Sequence, residues 1–126
     1  MSIPISLHSR GATAEDMKRF YPEMTCSFQA WAVDIDGVCE GVIGMALTRP
    51  YRCIFATFSD TLRPHLKSVR IMKLVKKLHD EVAKSRMPVR AIRQCGERKA
   101  VHILKRLGFE FECLCDGDAV YIYGGK

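Results

Sequence analysis

Three groups of residues in this chain could do chemistry. The stretch RPHLKSVRIMK, residues 63 to 73, brings Arg63, His65, Lys67, Arg70 and Lys73 to the start of an amphipathic run. Cations beside the free N–H groups of a helix start suit an anionic group, the alternative being two ordinary solvated helix faces. Cys95 follows a short apolar strand and precedes a helix start, where a thiol is favoured as the thiolate and can accept an acyl group. No histidine stands where it could serve Cys95, so a partly buried structural cysteine is the other reading. Glu40 and Asp60 are the carboxylates that the order of elements brings nearest to a substrate groove, where either could take a proton; a solvated strand or turn acid is the alternative for each. His79 and His102 fall on or beside polar helix faces and read as solvated.

These residues must be positioned by one domain, because a chain of 126 residues buries most of its apolar surface around a single core. A 48% hydrophobic and 27% charged composition without low-complexity runs excludes disorder and fibrous repeats. The start MSIPISLHSR lacks a charged leader followed by an apolar run, and no stretch of about 18 apolar residues occurs, so a soluble cytoplasmic protein without a membrane span is expected. Cys26, Cys39, Cys53, Cys95, Cys113 and Cys115 lie mostly in strand-like runs without a CxxC pair or zinc-finger histidines, and read as buried reduced thiols rather than metal ligands. Cys113 and Cys115 share one strand face. The net charge of +6 suits an anionic partner.

Along the chain, residues 3 to 8 read as a first strand, and Thr13 with Asp16 as the cap of a short helix through Phe20, stopped by Pro22. Residues 26 to 35 and 38 to 47 form a hairpin about Asp36-Gly37. After Arg49-Pro50, residues 51 to 58 are apolar on both faces, as an interior strand should be. Ile71, Leu74, Val75, Leu78 and Val82 then fall at helical spacing opposite Lys73, Lys76, Lys77, Asp80 and Lys84, giving a long helix that begins between Pro64 and Ser68. Residues 89 to 93 form a strand, 97 to 107 a helix closed by Gly108, and 109 to 115 with 119 to 123 a last hairpin. Trp31, Phe28, Phe55 and Phe58 read as core. A strand, crossover helix and strand imply that 51–58 and 89–93 run parallel near the sheet centre, where two neighbours can splay and leave a slot for an anion at their C-terminal ends.

This order, with the ending AVHILKRLGFEFE, resembles the GNAT superfamily of N-acetyltransferases over nearly the whole chain, with Ala100, Leu104, Leu107, Gly108 and Phe109 matching its helix exit. The resemblance implies an α/β (α+β) fold, a mixed and mostly antiparallel sheet of about seven strands flanked by about three helices. It also implies acetyl-CoA or another acyl-CoA as cofactor and a small-molecule or protein amine as acceptor. The cofactor would sit against Phe58, the amides of Lys67, Ser68, Val69 and Arg70, and the charges of Arg63, His65, Lys67, Arg70 and Lys73. Three departures stand out: residues 63 to 73 hold no glycine, Leu104 and Glu97 occupy positions where the family often has Tyr and Asn, and the strand 51–58 has no carboxylate.

Three functions remain open from the sequence: an acyl-CoA N-acyltransferase, a GNAT-like binding or structural protein without transferase activity, and, ranked last, a basic nucleic-acid-binding module, for which there is charge but no recognised motif. Compact GNAT-like domains of this kind also resemble bacteriophage products, which makes a virion-associated setting an alternative to the cytoplasm. The basic residues are not interleaved with exposed aromatics, which argues against nucleic acid. The closing hairpin leaves a strand edge open to a second subunit or a protein partner, although its alternation suits a monomer equally.

Overall fold

A computed structural model describes residues 6–65, 68–93, 105, 108–115 and 118–123. The element order is β1 (Leu7–Gly11), α1 (Ala14–Phe20), β2 (Phe28–Ile35), β3 (Val38–Ala46), β4 (Arg52–Phe58), a 3-10 turn (Arg63–His65), α2 (Val69–Lys84), β5 (Val89–Arg93), β6 (Phe109–Cys115) and β7 (Asp118–Tyr123). The strands form one seven-stranded sheet in the order β1-β2-β3-β4-β5-β7-β6, antiparallel except where β4 meets β5. The sheet and its parallel pair are as expected. Two α-helices lie among the described residues rather than about three, because the helix expected over 97–107 falls outside them save for Lys105, which is helical.

Of the first strand expected over 3–8, residues 3–5 lie outside the described residues, and the strand runs on past residue 8 to Gly11. Ser6 exchanges hydrogen bonds with the β2–β3 turn, its amide donating to Asp36 Oδ1 (3.1 Å) and its carbonyl accepting from Asp36 N (3.0 Å). Among the described residues, strand pairing runs from Leu7 opposite Ile35 to Gly11 opposite Trp31. The local apolar pattern stopped at residue 8, whereas the partner strand carries the pairing to Gly11. The turn itself has Asp36 at φ 50° and Gly37 at φ 85°, the left-handed pair that a two-residue hairpin requires.

The α2 side of the sheet holds the larger core. Ile71, Leu74, Leu78 and Val82 of α2 pack with Val33, Ile43, Met45, Ile54, Leu62, Val89 and Phe109, and burying each such side chain stabilises by about 2 kcal/mol. The α1 side is thinner, with Met17 over Ala30, Ala32, Cys39 and Val42, fringed by Phe28 and Phe55. Trp31 and Phe58 border the larger core and are half-buried, so the four aromatics expected inside stand at the margins of the two cores, two at each. Gly108 adopts φ 90° and donates to Lys105 O (3.1 Å), the left-handed exit foreseen before β6.

No described helix is long and apolar enough to cross a membrane. Of the cysteines expected to be buried, Cys39 is buried and burial pushes its thiol pKa up, Cys26 and Cys53 are half-buried, and Cys113 is exposed. That last difference follows from position, since β6 is the sheet's edge strand. The side chain of Cys115 lies outside the described residues.

Candidate functional site

The central strands pair only briefly. β4 and β5 are in register at Arg52–Val89, Cys53–Arg90 and Ile54–Ala91 and no further. Beyond that point β4 continues to Phe58 bonded to β3, while β5 continues to Arg93 bonded to β7. Each strand keeps its outer neighbour and loses its inner one, so backbone groups in the second half of β4 and the end of β5 face a slot.

A chain of backbone and hydroxyl hydrogen bonds builds the wall of this slot beyond β4. Leu62 and Arg63 amides donate to Ser59 O (3.1 and 3.0 Å), His65 N to Leu62 O (2.8 Å) and Ser68 N to His65 O (3.0 Å). Ser68 caps α2, its Oγ accepting from Ile71 N (3.3 Å) and its carbonyl from Met72 N (3.1 Å). This leaves the amides of Val69 and Arg70 without a partner among the described residues. No acid stands in the first turn of α2 to neutralise that positive end.

The sequence-predicted residues separate accordingly. Val69 and Arg70 occupy the first turn of α2 with Ser68 as cap, and Val69 is 70% exposed. Ile71, which could have plugged the opening, is turned into the core. Arg70 and Lys73 are exposed, His65 is half-buried in the 3-10 turn, and Arg63 lies 3.7 Å from Asp60. Phe58 ends β4 and packs against the larger core. The amide of Ser68, expected to point at an anion, is instead committed to His65 O. Lys67 and Cys95 lie outside the described residues.

The two carboxylates part company. Asp60 is fully solvated apart from its loose contact with Arg63. Glu40 is built in: its side chain is 13% exposed, Oε2 accepts from Ser59 Oγ, its carbonyl accepts from Ser59 N (2.8 Å), and Arg19 Nη2 stands 3.7 Å from Oε1. It is also the extra residue of a bulge, because Val33 pairs with Gly41 and Asp34 with Cys39. A bulge re-aims a side chain out of the strand's alternation, here towards Ser59 and Arg19.

Sequence reasoning missed a second polar contact beside the slot. Tyr21, just past α1, shares a hydrogen bond with Thr57 Oγ1 (2.5 Å) and stands edge-on to Phe55 at 5.1 Å, which ties the α1 exit to the unpaired part of β4. Burial pushes the Tyr21 phenol pKa up, so it stays protonated at neutral pH. Ser59 was also missed; only Gly41, inside a strand pattern, signalled the bulge that brings Glu40 to it.

A slot open at the C-terminal ends of two parallel strands, with two uncommitted amides, Arg70 and Lys73 beside it, fits an elongated ligand with an anionic end. Its chemistry is to hold and orient, with Glu40 able to receive a proton or a cation.

No family model matches the chain, and no curated protein matches it. Solved structures do. The ribosomal-protein-S18-alanine N-acetyltransferase from Escherichia coli is 12% identical with a TM-score of 0.64, covering 93% of this chain and 91% of that one. A GNAT-family acetyltransferase from Staphylococcus aureus is 11% identical with a TM-score of 0.62, covering 93% and 98%. NAA60 from Arabidopsis thaliana, in complex with acetyl-CoA, is 11% identical with a TM-score of 0.58, covering 94% and 98%. This chain therefore has the GNAT acetyltransferase fold, in accordance with the resemblance read from its sequence.

Proposed function

We propose that the protein binds an acyl-CoA, acetyl-CoA being the simplest, and transfers the acyl group to an amine of a small molecule or protein, working in the cytoplasm. The observation that carries this reading is the parting of β4 and β5 after Ile54 and Ala91, beside the unneutralised start of α2. The amides of Val69 and Arg70, with the side chains of Arg70 and Lys73, would hold the cofactor's phosphates. When bound, acyl-CoA supplies an activated thioester, so that the acceptor nitrogen bonds to the carbonyl carbon, the C–S bond breaks, and the proton lost by nitrogen ends on sulfur. The protein's part is to orient the amine for attack, and orientation alone is a large share of such catalysis.

A second reading is the same fold kept as a binding or structural protein, including a bacteriophage component. The absence of glycine from residues 63 to 73 and the committed amide of Ser68 favour it. One titration separates the two. Acetyl-CoA at about 100 times its dissociation constant stabilises the folded state by about 2.7 kcal/mol and raises the thermal midpoint by several degrees. An unchanged midpoint at millimolar acetyl-CoA removes the transferase reading and leaves the second.

A further inference from the structure

Glu40 has two neighbours of different kinds. Ser59 is fixed, since its amide donates to Glu40 O (2.8 Å), its carbonyl accepts from Leu62 and Arg63 amides, and its Oγ accepts from Leu62 N (3.2 Å) while donating to the Glu40 carboxylate. Arg19 is held loosely. Its side chain is 49% exposed, its guanidinium lies 5.3 Å from the centre of the Phe20 ring, and its approach to Glu40 Oε1 stops at 3.7 Å, beyond hydrogen-bond distance. Its direct bond among the described residues goes from Nη1 to the Cys39 carbonyl. A mostly buried carboxylate thus keeps one anchored donor and one cation that can be displaced.

The last turn of α1 runs from Arg19 directly into an open groove of about 400 Å³ lined by Phe20, Tyr21, Pro22, Glu23 and Met24. Its surface is mainly apolar, and Tyr21 anchors it to β4 through Thr57. Thr57 in β4 and Ser59 just past its end, two residues apart, hold Tyr21 and Glu40 respectively, so the groove and the carboxylate are tied to neighbouring points of one segment. This arrangement is complementary to a molecule with a cationic head and an apolar stem.

We propose that Glu40 is the recognition point for the acceptor's ammonium group, that Arg19 holds its place in the free protein, and that the acceptor's apolar stem lies along Phe20–Met24. The acceptor is then a primary amine on an aliphatic or aromatic stem, in preference to a neutral or acidic molecule. An ammonium is a compact charge with three donors and can approach Glu40 more closely than the planar guanidinium of Arg19 does. Releasing Arg19 costs little, because half-exposed ion pairs are weak. The purpose of the site rests on the transferase reading, but binding of the amine does not.

The probes are 2-phenylethylamine and its neutral counterpart 2-phenylethanol, titrated separately into the whole protein and followed by chemical shifts of backbone amides. The native protein should bind the amine roughly ten-fold more tightly than the alcohol, as a charge-assisted hydrogen bond provides. Arg19→Ala should tighten amine binding roughly three-fold without changing the alcohol. Glu40→Gln should make the two ligands equal. Equal affinities in the native protein, or weaker amine binding in Arg19→Ala, would overturn the proposal. Should Glu40→Gln not fold, Arg19→Ala still decides, since half of that side chain is in solvent. Acetyl-CoA titrated into the same samples separates the two ideas: an amine preference without cofactor binding removes the transferase reading alone, and cofactor binding without an amine preference removes this proposal alone.

Discussion

At the start of α1, Thr13 Oγ1 accepts from Asp16 N (3.2 Å), Asp16 Oδ2 accepts from Thr13 N (2.8 Å), and Arg10 donates to both Asp16 oxygens (2.6 and 3.1 Å) while also gripping Asp34 (2.9 and 3.2 Å). At the start of α2, Ser68 Oγ accepts from Ile71 N (3.3 Å), the first turn holds no acid, and Arg70 adds positive charge. The partial positive charge of a helix N-terminus is therefore neutralised at α1 and left standing at α2. The first arrangement welds β1, α1 and β2 together. The second gives up that stabilisation at the mouth of a slot, where an anionic ligand could supply the missing charge.

The largest expected effect comes from breaking the α1 start. Asp16→Asn removes the charge and one of the two oxygens that accept from Arg10, and weakens the cap, at a cost of about 2 to 3 kcal/mol, a fall of roughly 10 °C in thermal midpoint. The same carboxyl governs acid sensitivity. The hydrogen bond from Arg10 is the main cause holding Asp16 well below the usual carboxylate range. A group with a depressed folded value contributes stability above its unfolded value, about 3.9, and loses it as the pH falls through the folded one. Urea unfolding of the native protein should therefore weaken from about pH 4 downward, and more steeply than that of Asp16→Asn. Parallel curves for the two proteins would show that the α1 start is not where acid acts.

The contrast between the two helix starts was only half legible in the sequence. Thr13 with Asp16 announces its cap through a three-residue spacing, and Asp36-Gly37, the α2 stripe and the parallel crossover are likewise local patterns with one physical reading. Arg10 meets Asp34 across β1 and β2, and Glu40 meets Ser59 and Arg19 across three elements. Such contacts depend on register, which the alternation of side chains fixes only up to the insertion of a bulge. The parting of β4 and β5 was foreseeable from topology. Which amides stay uncommitted at its mouth was not, because each depends on where the 3-10 turn closes its own hydrogen bonds.

Giving α2 the acid that α1 already has would sharpen the contrast. Ser68→Asp keeps a good capping residue and complements the helix dipole, so stability should hold or rise by about 0.5 kcal/mol. The same carboxylate would stand beside the amides of Val69 and Arg70 and repel a phosphate, lowering acetyl-CoA affinity about ten-fold by calorimetry. Stability and binding should thus move in opposite directions. Unchanged affinity would place the cofactor's phosphates elsewhere and make the bare start of α2 a matter of composition alone.

The smallest expected effect tests whether the bulk of the α2 start matters once its charge is accounted for. Val69 stands at the first helical position with its side chain 70% exposed, where a ligand approaching the amides of Val69 and Arg70 must pass its branched methyls. Val69→Gly removes them. Glycine costs about 0.5 kcal/mol of helix stability there, through the extra backbone freedom it gives the unfolded chain. If the methyls obstruct the approach, acetyl-CoA should bind roughly three-fold more tightly despite that cost. Equal affinity would mean that the exposed side chain already swings clear, leaving charge rather than bulk to distinguish the open start of α2 from the closed start of α1.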